Sequence, residues 1–169
     1  SGIATVGRPL DVERVVMLAA GSDRASSADR AAATPSEEAP AWAGARVLVV
    51  DDSLINLKVS QKMLEGMGCR VTCAASGNDA LELCRNETFD LVLMDVQMPE
   101  MDGFAATAAL RELPGGREIP VVALTANAMQ GDRERCIEAG MDDYVPKPCE
   151  REQLRRILNE WVVQRMVSA

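Results

Sequence analysis

The chain has 169 residues, of which 47% are apolar, and it carries a formal net charge of -8. This length and apolar content suffice for one ordinary domain with a buried core plus a shorter segment, and they argue against two full domains. The acidic balance and the lack of a basic run argue against a nucleic-acid surface, because phosphate backbones are held mainly by clustered Lys and Arg.

The first residues lack the basic start and apolar core of a signal peptide, and no apolar stretch approaches the roughly 20 residues of a membrane helix. We therefore expect a cytoplasmic location and no direct membrane contact. The chain starts at Ser1 rather than at Met, which suggests a piece of a longer protein.

Five cysteines are scattered through apparent core positions, and the chain contains no histidine. An odd number of cysteines argues against a secreted disulfide framework. The nearest pair, Cys69 and Cys73, is spaced C-x3-C and has no second pair to complete a metal site. We interpret all five as structural.

Residues 1–44 differ in composition from the rest of the chain. Residues 22–44 are rich in Ala, Ser, Asp, Glu and Pro, which is typical of a linker. The preceding stretch PLDVERVVMLAAG fits a short amphipathic helix and a strand equally well. It is either the tail of a preceding domain or a segment that packs on a partner such as a second copy, which leaves a homodimer open. We place the folded domain at residues 45–169.

From residue 45 onward, short apolar runs alternate with helical periodicity. The predicted strands lie at 45–50, 69–74, 89–95, 119–125 and 142–146, and the predicted helices at 54–68, 76–87, 103–113, 126–140 and 150–166. Ser53 can cap the first helix, which we expect to end at Gly68. Five βα units in sequence predict an α/β fold in which helices cover both faces of a parallel sheet.

Reactive side chains follow four of the five predicted strands, where ligands bind in open parallel sheets. Strand one ends in Asp51 and Asp52, strand three in Asp95 and strand four in Thr125, and strand five leads through Tyr144 to Lys147. We therefore expect the chemistry of the protein at this edge of the sheet.

The acids at the ends of strands one and three crowd each other if these strands are neighbours, because adjacent strands lie about 4.8 Å apart. Crowded carboxylates raise one another's pKa or need a cation, and Mg²⁺ with its preference for oxygen is the natural cation. With Lys147 and the hydroxyl of Thr125, the ion would form a site for a phosphoryl group that Asp95 accepts as an acyl phosphate. A salt bridge that only steadies the acids is a simpler and compatible role for Lys147.

Four separately placed motifs, RVLVVDDS, LVLMDVQMPEMDG, VVALTA and DDYVPKP, resemble those of the receiver domain of two-component response regulators over residues 45 to about 166. The stretch LTANAMQGDRERCIEAGMDDYVPKP is most similar to the C-terminal receivers of hybrid sensor histidine kinases. The resemblance implies a flavodoxin-like (βα)5 sheet, doubly wound, with strand order 2-1-3-4-5. It also implies a phosphoacceptor module that catalyses at most its own phosphorylation and dephosphorylation. The parent protein is then a hybrid histidine kinase, and an anchor of that kinase in the inner membrane is compatible with a cytoplasmic receiver.

The resemblance assigns roles to the residues at the strand ends. It implies that Asp95 accepts phosphate from a phosphohistidine on a histidine kinase or a histidine phosphotransfer domain. Asp51 and Asp52 would place Mg²⁺, with Asp52 the more direct ligand, and the backbone carbonyl of Gln97 would complete the protein ligands. The side chains of Gln97 and Asn127 occupy family positions that govern attack by water on the phosphate.

Further features of the family concern how the site is aimed and how the signal leaves it. The bond from Lys147 to Pro148 is expected to be cis. On phosphorylation Thr125 would move toward the phosphate and Tyr144 would rotate inward behind it, changing the face formed by helix four, strand five and helix five. The alternative for Tyr144 is an aromatic ring that simply packs at a strand end.

The first helix is more apolar than one buried face requires, because Leu54, Ile55, Leu57 and Val59 follow one another closely. The surplus is either ordinary surface apolarity or a docking surface for a histidine phosphotransfer protein, with Leu54 and Ile55 as its contact residues.

Two other functional classes are alternatives to the phosphoacceptor. A phosphohydrolase with an aspartyl nucleophile would normally carry it after strand one in a D-x-D arrangement, whereas DDS stands here. A degenerate receiver that acts only as a protein interaction module would have lost an acid, the Thr or the Lys, and none is lost. No glycine-rich loop that could cradle a nucleotide phosphate is present.

Overall fold

A single five-stranded sheet forms the centre of the domain in this computed structural model, which describes residues 39–127 and 129–168. The strands are β1 (Arg46–Val50), β2 (Arg70–Ala74), β3 (Leu91–Asp95), β4 (Val121–Thr125) and β5 (Asp143–Pro146). All neighbouring strands are parallel, and their order is β2-β1-β3-β4-β5. The predicted α/β class and strand order are therefore confirmed.

Each strand is followed by a helix. The helices are α1 (Leu54–Glu65), α2 (Gly77–Asn86), α3 (Gly103–Glu112), α4 (Gln130–Glu138) and α5 (Arg151–Ile157). A π-helical stretch, Leu158–Val163, continues directly from α5 and leads into α6 (Gln164–Ser168). Residues 1–38 of the predicted N-terminal segment 1–44, including the stretch at 9–21, lie outside the described residues.

The core has two halves, one on each face of the sheet. Val47 and Val49 of β1 pack with residues of α1 and α5, including Leu57 and Leu154. The alternate residues of β1, such as Leu48, face the other side and pack with residues of α2, α3 and α4. Successive side chains of a strand point to opposite faces, so strands of continuous apolar residues fit a sheet that is covered on both sides.

The limits of several helices differ from the prediction, most clearly at α1, at α4 and at the predicted helix 150–166, which the π-helical stretch Leu158–Val163 interrupts. Helix α1 ends at Glu65 and is followed by a turn in which Gly68 has a φ of 91°. Ser53 stands at the N-cap, but its side chain makes no capping hydrogen bond. Helix α4 runs from Gln130 to Glu138 rather than from residue 126 to 140, and in the loop before it the Thr125 hydroxyl donates to the Asn127 carbonyl and accepts from the Asn127 N–H.

Residues 39–44 form a turn beside the end of α1. The indole Nε1 of Trp42 donates to the carbonyl of Met67 at 3.2 Å, and the Gly44 N–H donates to the carbonyl of Gly68 at 2.7 Å. The Trp42 ring also packs against the core. The domain boundary at residue 45 remains a prediction.

Within the described residues, no helix has the length and apolarity needed to span a bilayer.

Candidate functional site

The carboxyl ends of four strands bring the predicted site residues to one edge of the sheet. We call this region the reactive edge and define it by Asp51, Asp52, Asp95, Thr125 and Lys147. The register pairs Val50 of β1 with Met94 of β3, so the residues that follow them lie side by side. The parallel arrangement thus converts sequence-distant strand ends into one cluster.

Asp51 is held rigidly in the reactive edge with only 1% of its surface exposed. Its Oδ1 accepts a hydrogen bond from the Ser53 N–H at 2.8 Å, and Asn56 Nδ2 lies 3.3 Å from each carboxylate oxygen. Its Oδ2 lies 2.8 Å from the Lys147 Nζ. Asn56 was not predicted as a site residue; its position in the first turn of α1, directly after the acid pair, is the signal that could have identified it.

Asp95 ends β3 and is 2% exposed. Its Oδ1 accepts from the Gln97 N–H at 3.0 Å, and its Oδ2 lies 2.9 Å from the Lys147 Nζ. Gly103 starts α3 so close to this residue that a Cβ there would collide with the Asp95 carbonyl oxygen. The glycine therefore lets the loop fold tightly over the carboxylate.

Burial, hydrogen bonds and neighbouring charges shift the pKa values of Asp95 and Lys147. Burial raises the pKa of Asp95, against the lowering effects of Lys147 and the Gln97 N–H, and Asp51 raises it further. Burial alone would lower the pKa of Lys147, but its hydrogen bonds to Asp51 and Asp95 raise it above the ordinary value. The ammonium therefore stays charged and offsets part of the repulsion between the two buried acids.

The three acids fit a hard divalent cation. Asp51, Asp52 and Asp95 each offer a carboxylate oxygen, and these oxygens lie within 4.8 Å of one another. Asp52 is exposed, whereas the other two are buried. Three carboxylates with one ammonium leave two negative charges, which one Mg²⁺ would balance with the oxygen ligands that it prefers. Lys147 contacts one oxygen of each buried acid, Oδ2 of Asp51 and Oδ2 of Asp95, whereas the carboxylate of Asp52 is exposed.

Thr125 ends β4 and is 5% exposed, but its hydroxyl is engaged in its own loop. The hydroxyl donates to the Asn127 carbonyl at 2.5 Å and accepts from the Asn127 N–H at 3.1 Å. The carbonyl of Thr125 accepts from the Lys147 N–H at 2.7 Å, which joins the ends of β4 and β5. The bond from Lys147 to Pro148 is cis, as expected.

Comparison with known proteins places this arrangement in a family. The family model described as the response regulator receiver domain matches residues 47–159, which is more than half of the chain. The chain belongs to this family. It is thus a receiver domain of two-component phosphorelay systems, and the proposed resemblance is confirmed.

Similar proteins include whole sensor kinases and isolated receivers. The sensor histidine kinase GacS of Pseudomonas protegens is 42% identical over 135 residues, which are 78% of this chain and 15% of that protein. The signal transduction histidine-protein kinase BarA of Shigella flexneri is 46% identical over 112 residues, 66% of this chain and 12% of that protein. This receiver therefore spans only a small part of the curated relatives that it matches.

A solved structure of a similar receiver contains a metal ion. The receiver domain of the sensor histidine kinase PA1611 from Pseudomonas aeruginosa PAO1 has a magnesium ion coordinated in its active site cleft. It is 45% identical, covers 71% of this chain and 98% of its own, and has a TM-score of 0.66.

A second structure includes a partner. In Saccharomyces cerevisiae the histidine phosphotransfer protein Ypd1 has been crystallised with the receiver domain of Ssk1. That match is 25% identical, covers 73% of this chain and 92% of the other, and has a TM-score of 0.68.

Tyr144 lies on β5 opposite Ala123 of β4, and its ring is half-buried against the core. The ring also lines a surface groove of about 320 Å³, together with Arg133, Asp143 and Arg156. The receiver thus has its tyrosine at the rim of the face that α4, β5 and α5 form. Packing and a switching role are both compatible with this position.

The predicted docking residues stand at the start of α1, next to the reactive edge. Leu54 and Ile55 are 67% and 75% exposed, and Val59 one turn later is 50% exposed, whereas Leu57 is buried. A cavity of about 380 Å³ lies beside them, lined in part by Val59, Met63, Pro148, Cys149 and the Asp51–Lys147 pair. The start of α1 therefore presents an apolar surface that residues 39–127 and 129–168 leave exposed.

Proposed function

We propose that this receiver accepts a phosphoryl group from phosphohistidine on Asp95, in a reaction that requires Mg²⁺. The position of the Lys147 ammonium carries the proposal, because Nζ lies 2.8 Å from Asp51 and 2.9 Å from Asp95. An ammonium placed between two buried acids can bind a phosphoryl oxygen without moving far. A surface salt bridge would not need both carboxylates to be buried.

In the transfer, a carboxylate oxygen of Asp95 attacks phosphorus as the phosphorus–nitrogen bond of phosphohistidine breaks, and its electron pair stays on the imidazole. Lys147 exchanges its contact with Asp95 for one with a phosphoryl oxygen and keeps its contact with Asp51. Bound Mg²⁺ supplies charge neutralisation on the transferring phosphoryl group, and Asp51, Asp52, Asp95 and the Gln97 carbonyl would hold it.

Phosphorylation would then change the loop after β4. The Thr125 hydroxyl donates to Asn127 in the present state, and it can donate to a phosphoryl oxygen only after that bond opens. The phosphate adds about -1.5 to -2 charges and several strong acceptors, which favour the exchange. Movement of this loop makes room for the inward rotation of Tyr144.

The donor is a histidine kinase or a histidine phosphotransfer domain that docks on Leu54 and Ile55. Both side chains are largely exposed and lie at the end of α1 nearest the phosphoacceptor. The Ypd1–Ssk1 complex supports a partner of this class. Because the chain is similar to the receiver portion of hybrid sensor kinases such as GacS, we assign it to a parent kinase of that kind.

The phosphoacceptor is tested with acetyl phosphate as a small donor. We expect intact-mass spectrometry to show one added phosphoryl group in the presence of Mg²⁺ and none after chelation with EDTA. Asp95→Asn should abolish the modification. Asp79→Asn, which changes an exposed acid of α2, is the matched control and should be modified like the wild type.

Other outcomes of this experiment have clear meanings. A phosphoryl group that persists in Asp95→Asn would move the acceptor to another residue. A wild-type chain that is never modified, with or without Mg²⁺, would indicate a degenerate receiver that serves only as an interaction module.

Docking is tested by phosphotransfer from a phosphorylated histidine phosphotransfer domain. Leu54→Asp should slow this transfer about tenfold and leave labelling by acetyl phosphate unchanged, because a small donor needs no docking surface. Val167→Asp is the matched control, since Val167 is 80% exposed on α6. Equal transfer rates for Leu54→Asp and the wild type would refute docking at this residue.

A further inference from the structure

The side chain of Arg111, in the last turn of α3, donates hydrogen bonds from all three of its nitrogens. Nη1 donates to the carbonyls of Gly116 and Ile119 at 2.6 Å each. Nε and Nη2 donate to the carbonyl of Gly140 at 3.0 and 2.6 Å, and Nη2 also pairs with Asp142 at 2.9 Å. The planar guanidinium thereby binds several backbone segments at once, which a Lys ammonium cannot match in geometry.

One of these segments is the carboxyl-terminal end of α4. Gly140 follows the helix with a φ of 93°, a conformation that glycine adopts without strain. The Gly140 N–H donates to Ile137 at 3.0 Å and the Met141 N–H donates to Cys136 at 2.9 Å, which closes the helix end. Met141 and Cys136 are both buried. Arg111 adds two hydrogen bonds to the Gly140 carbonyl at this helix end.

The amino-terminal end of α4 is attached differently. Met129 at the N-cap is 71% exposed, and its side chain makes no capping bond. Within α4, Cys136 near the far end is the buried residue. The guanidinium of Arg135 lies 5.0 Å from the ring centre of Phe104, which is a contact with α3 at the middle of the helix. Burial and hydrogen bonding of α4 thus concentrate away from the loop that contains Thr125.

Arg111 also connects to the two strands that end at the reactive edge. The Asp142 oxygen that pairs with Arg111 accepts the Val121 N–H at 2.8 Å, and the Asp142 N–H donates to the Val121 carbonyl at 2.8 Å. These residues stand at the starts of β4 and β5, whose other ends lead to Thr125 and Lys147. The fixed end of α4 and the starts of both strands therefore share one anchor.

We propose that Arg111 is a positioning residue that fixes the carboxyl-terminal end of α4, so that phosphorylation moves the amino-terminal end of this helix alone. The proposal rests on the proposed function, since it describes how the signal leaves Asp95. A change in the loop between Thr125 and Asn127 is transmitted to the nearest turn of α4. The Arg111 contacts keep Gly140, Met141 and the strand starts in place while this turn moves.

The test is residue-resolved amide hydrogen exchange by NMR on the full chain, with and without beryllofluoride and Mg²⁺. In the wild type, beryllofluoride should change exchange at Gln130 to Arg133 and leave the Gly140 and Met141 amides unchanged. Arg111→Lys should speed exchange of these two amides about tenfold even without beryllofluoride, because the charged hydrogen bonds to the helix end are lost. Arg85→Lys is the matched control, since Arg85 is exposed on α2, away from these contacts.

With beryllofluoride bound, Arg111→Lys should show exchange changes along the whole of α4, while the fluorine NMR signal of the bound group persists. Asp142→Asn is a second variant, which removes one partner of Arg111 and should give a smaller change in the same direction. Wild-type exchange at Gly140 and Met141 in both variants would overturn the proposal, and so would equal changes at both ends of α4 in the wild type. Absence of bound beryllofluoride in the wild type would instead refute the proposed function, and the exchange rates without it would still test the anchor.

Discussion

The reactive edge and the opposite edge of the sheet each contain one largely buried cation, and the two cations are bound in different ways. Lys147 is 22% exposed and contacts two buried carboxylates. Arg111 is 15% exposed and binds backbone carbonyls of three residues as well as Asp142. One cation therefore faces groups that can change partners, and the other faces groups that belong to the fixed backbone.

The difference follows from the chemistry of the two side chains. An ammonium is a compact charge on a flexible stem, so Lys147 can exchange a carboxylate oxygen for a phosphoryl oxygen at little geometric cost. A guanidinium is a rigid fork whose hydrogen bonds form together, so Arg111 suits a part of the domain that must not move. The groups that can react therefore lie at one end of β4 and β5, and the fixed backbone contacts lie at the other end of the same strands.

The largest effect is expected from Lys147→Met. Removing the ammonium should slow phosphorylation of Asp95 by acetyl phosphate about 10²- to 10³-fold, because developing charge on the phosphoryl oxygens loses a fixed donor. Initial rates from intact-mass spectrometry measure this change. Lys62→Met, which removes an exposed ammonium from the last turn of α1, should retain the wild-type rate. A Lys147→Met rate near the wild-type value would reduce Lys147 to a structural ion pair.

Arg111→Met should act on stability instead. We expect the free energy of unfolding to fall by about 1 to 3 kcal/mol, because three partly buried carbonyls and the Asp142 carboxylate lose their charged donor. Denaturant titration gives the free energy. The phosphorylation rate of the folded fraction should stay within about twofold of the wild type, and a loss as large as that of Lys147→Met would erase the contrast between the two edges.

Gly103→Ala should disturb the reactive edge through the backbone. The added Cβ would collide with the Asp95 carbonyl, so the loop or the strand end must shift. We expect a loss of about 1 to 3 kcal/mol in the free energy of unfolding, together with slower phosphorylation. Thermal unfolding and the labelling rate measure the two effects. Unchanged labelling would mean that the loop can adapt without displacing Asp95.

Gly131→Ala should give the smallest effect, with the opposite sign. This glycine lies in α4 with nothing within 4 Å of an added Cβ, and alanine is the better helix former. We expect a gain of about 0.5 to 1 kcal/mol in the free energy of unfolding. A loss of stability would show that the first turn of α4 is under constraints that its exposure does not reveal. Comparison with Gly103→Ala distinguishes the cost of a steric collision at a glycine from the effect of replacing a glycine that has free space around it.

Much of the fold was predictable because its signals are local. Apolar runs of strand length alternated with helical periodicity, and the direction of a βα unit makes the strands parallel. Helix limits were less accurate. Helix α4 begins at Gln130, whereas the helical periodicity extends back to residue 126.

The candidate site was predictable to the level of residue type. Acids, a Thr and a Lys at strand ends must meet if the strands are parallel, and the structure does bring Asp51, Asp95 and Lys147 into contact. Asn56 and Arg111 escaped prediction, since each acts through partners that lie close only in the folded chain. The bonds from Arg111 to Gly140 join residues that are 29 positions apart.

The sequence by itself determined that this protein is a parallel α/β receiver with its reactive groups at one edge, because strand direction and the spacing of apolar residues are properties of short segments. Tertiary structure alone decided that Asp51 is buried against Lys147 while Asp52 is exposed. It also decided that Arg111 holds the far end of α4. Burial and hydrogen-bond partners depend on which distant segments pack together, and adjacent residues such as Asp51 and Asp52 therefore acquire different environments.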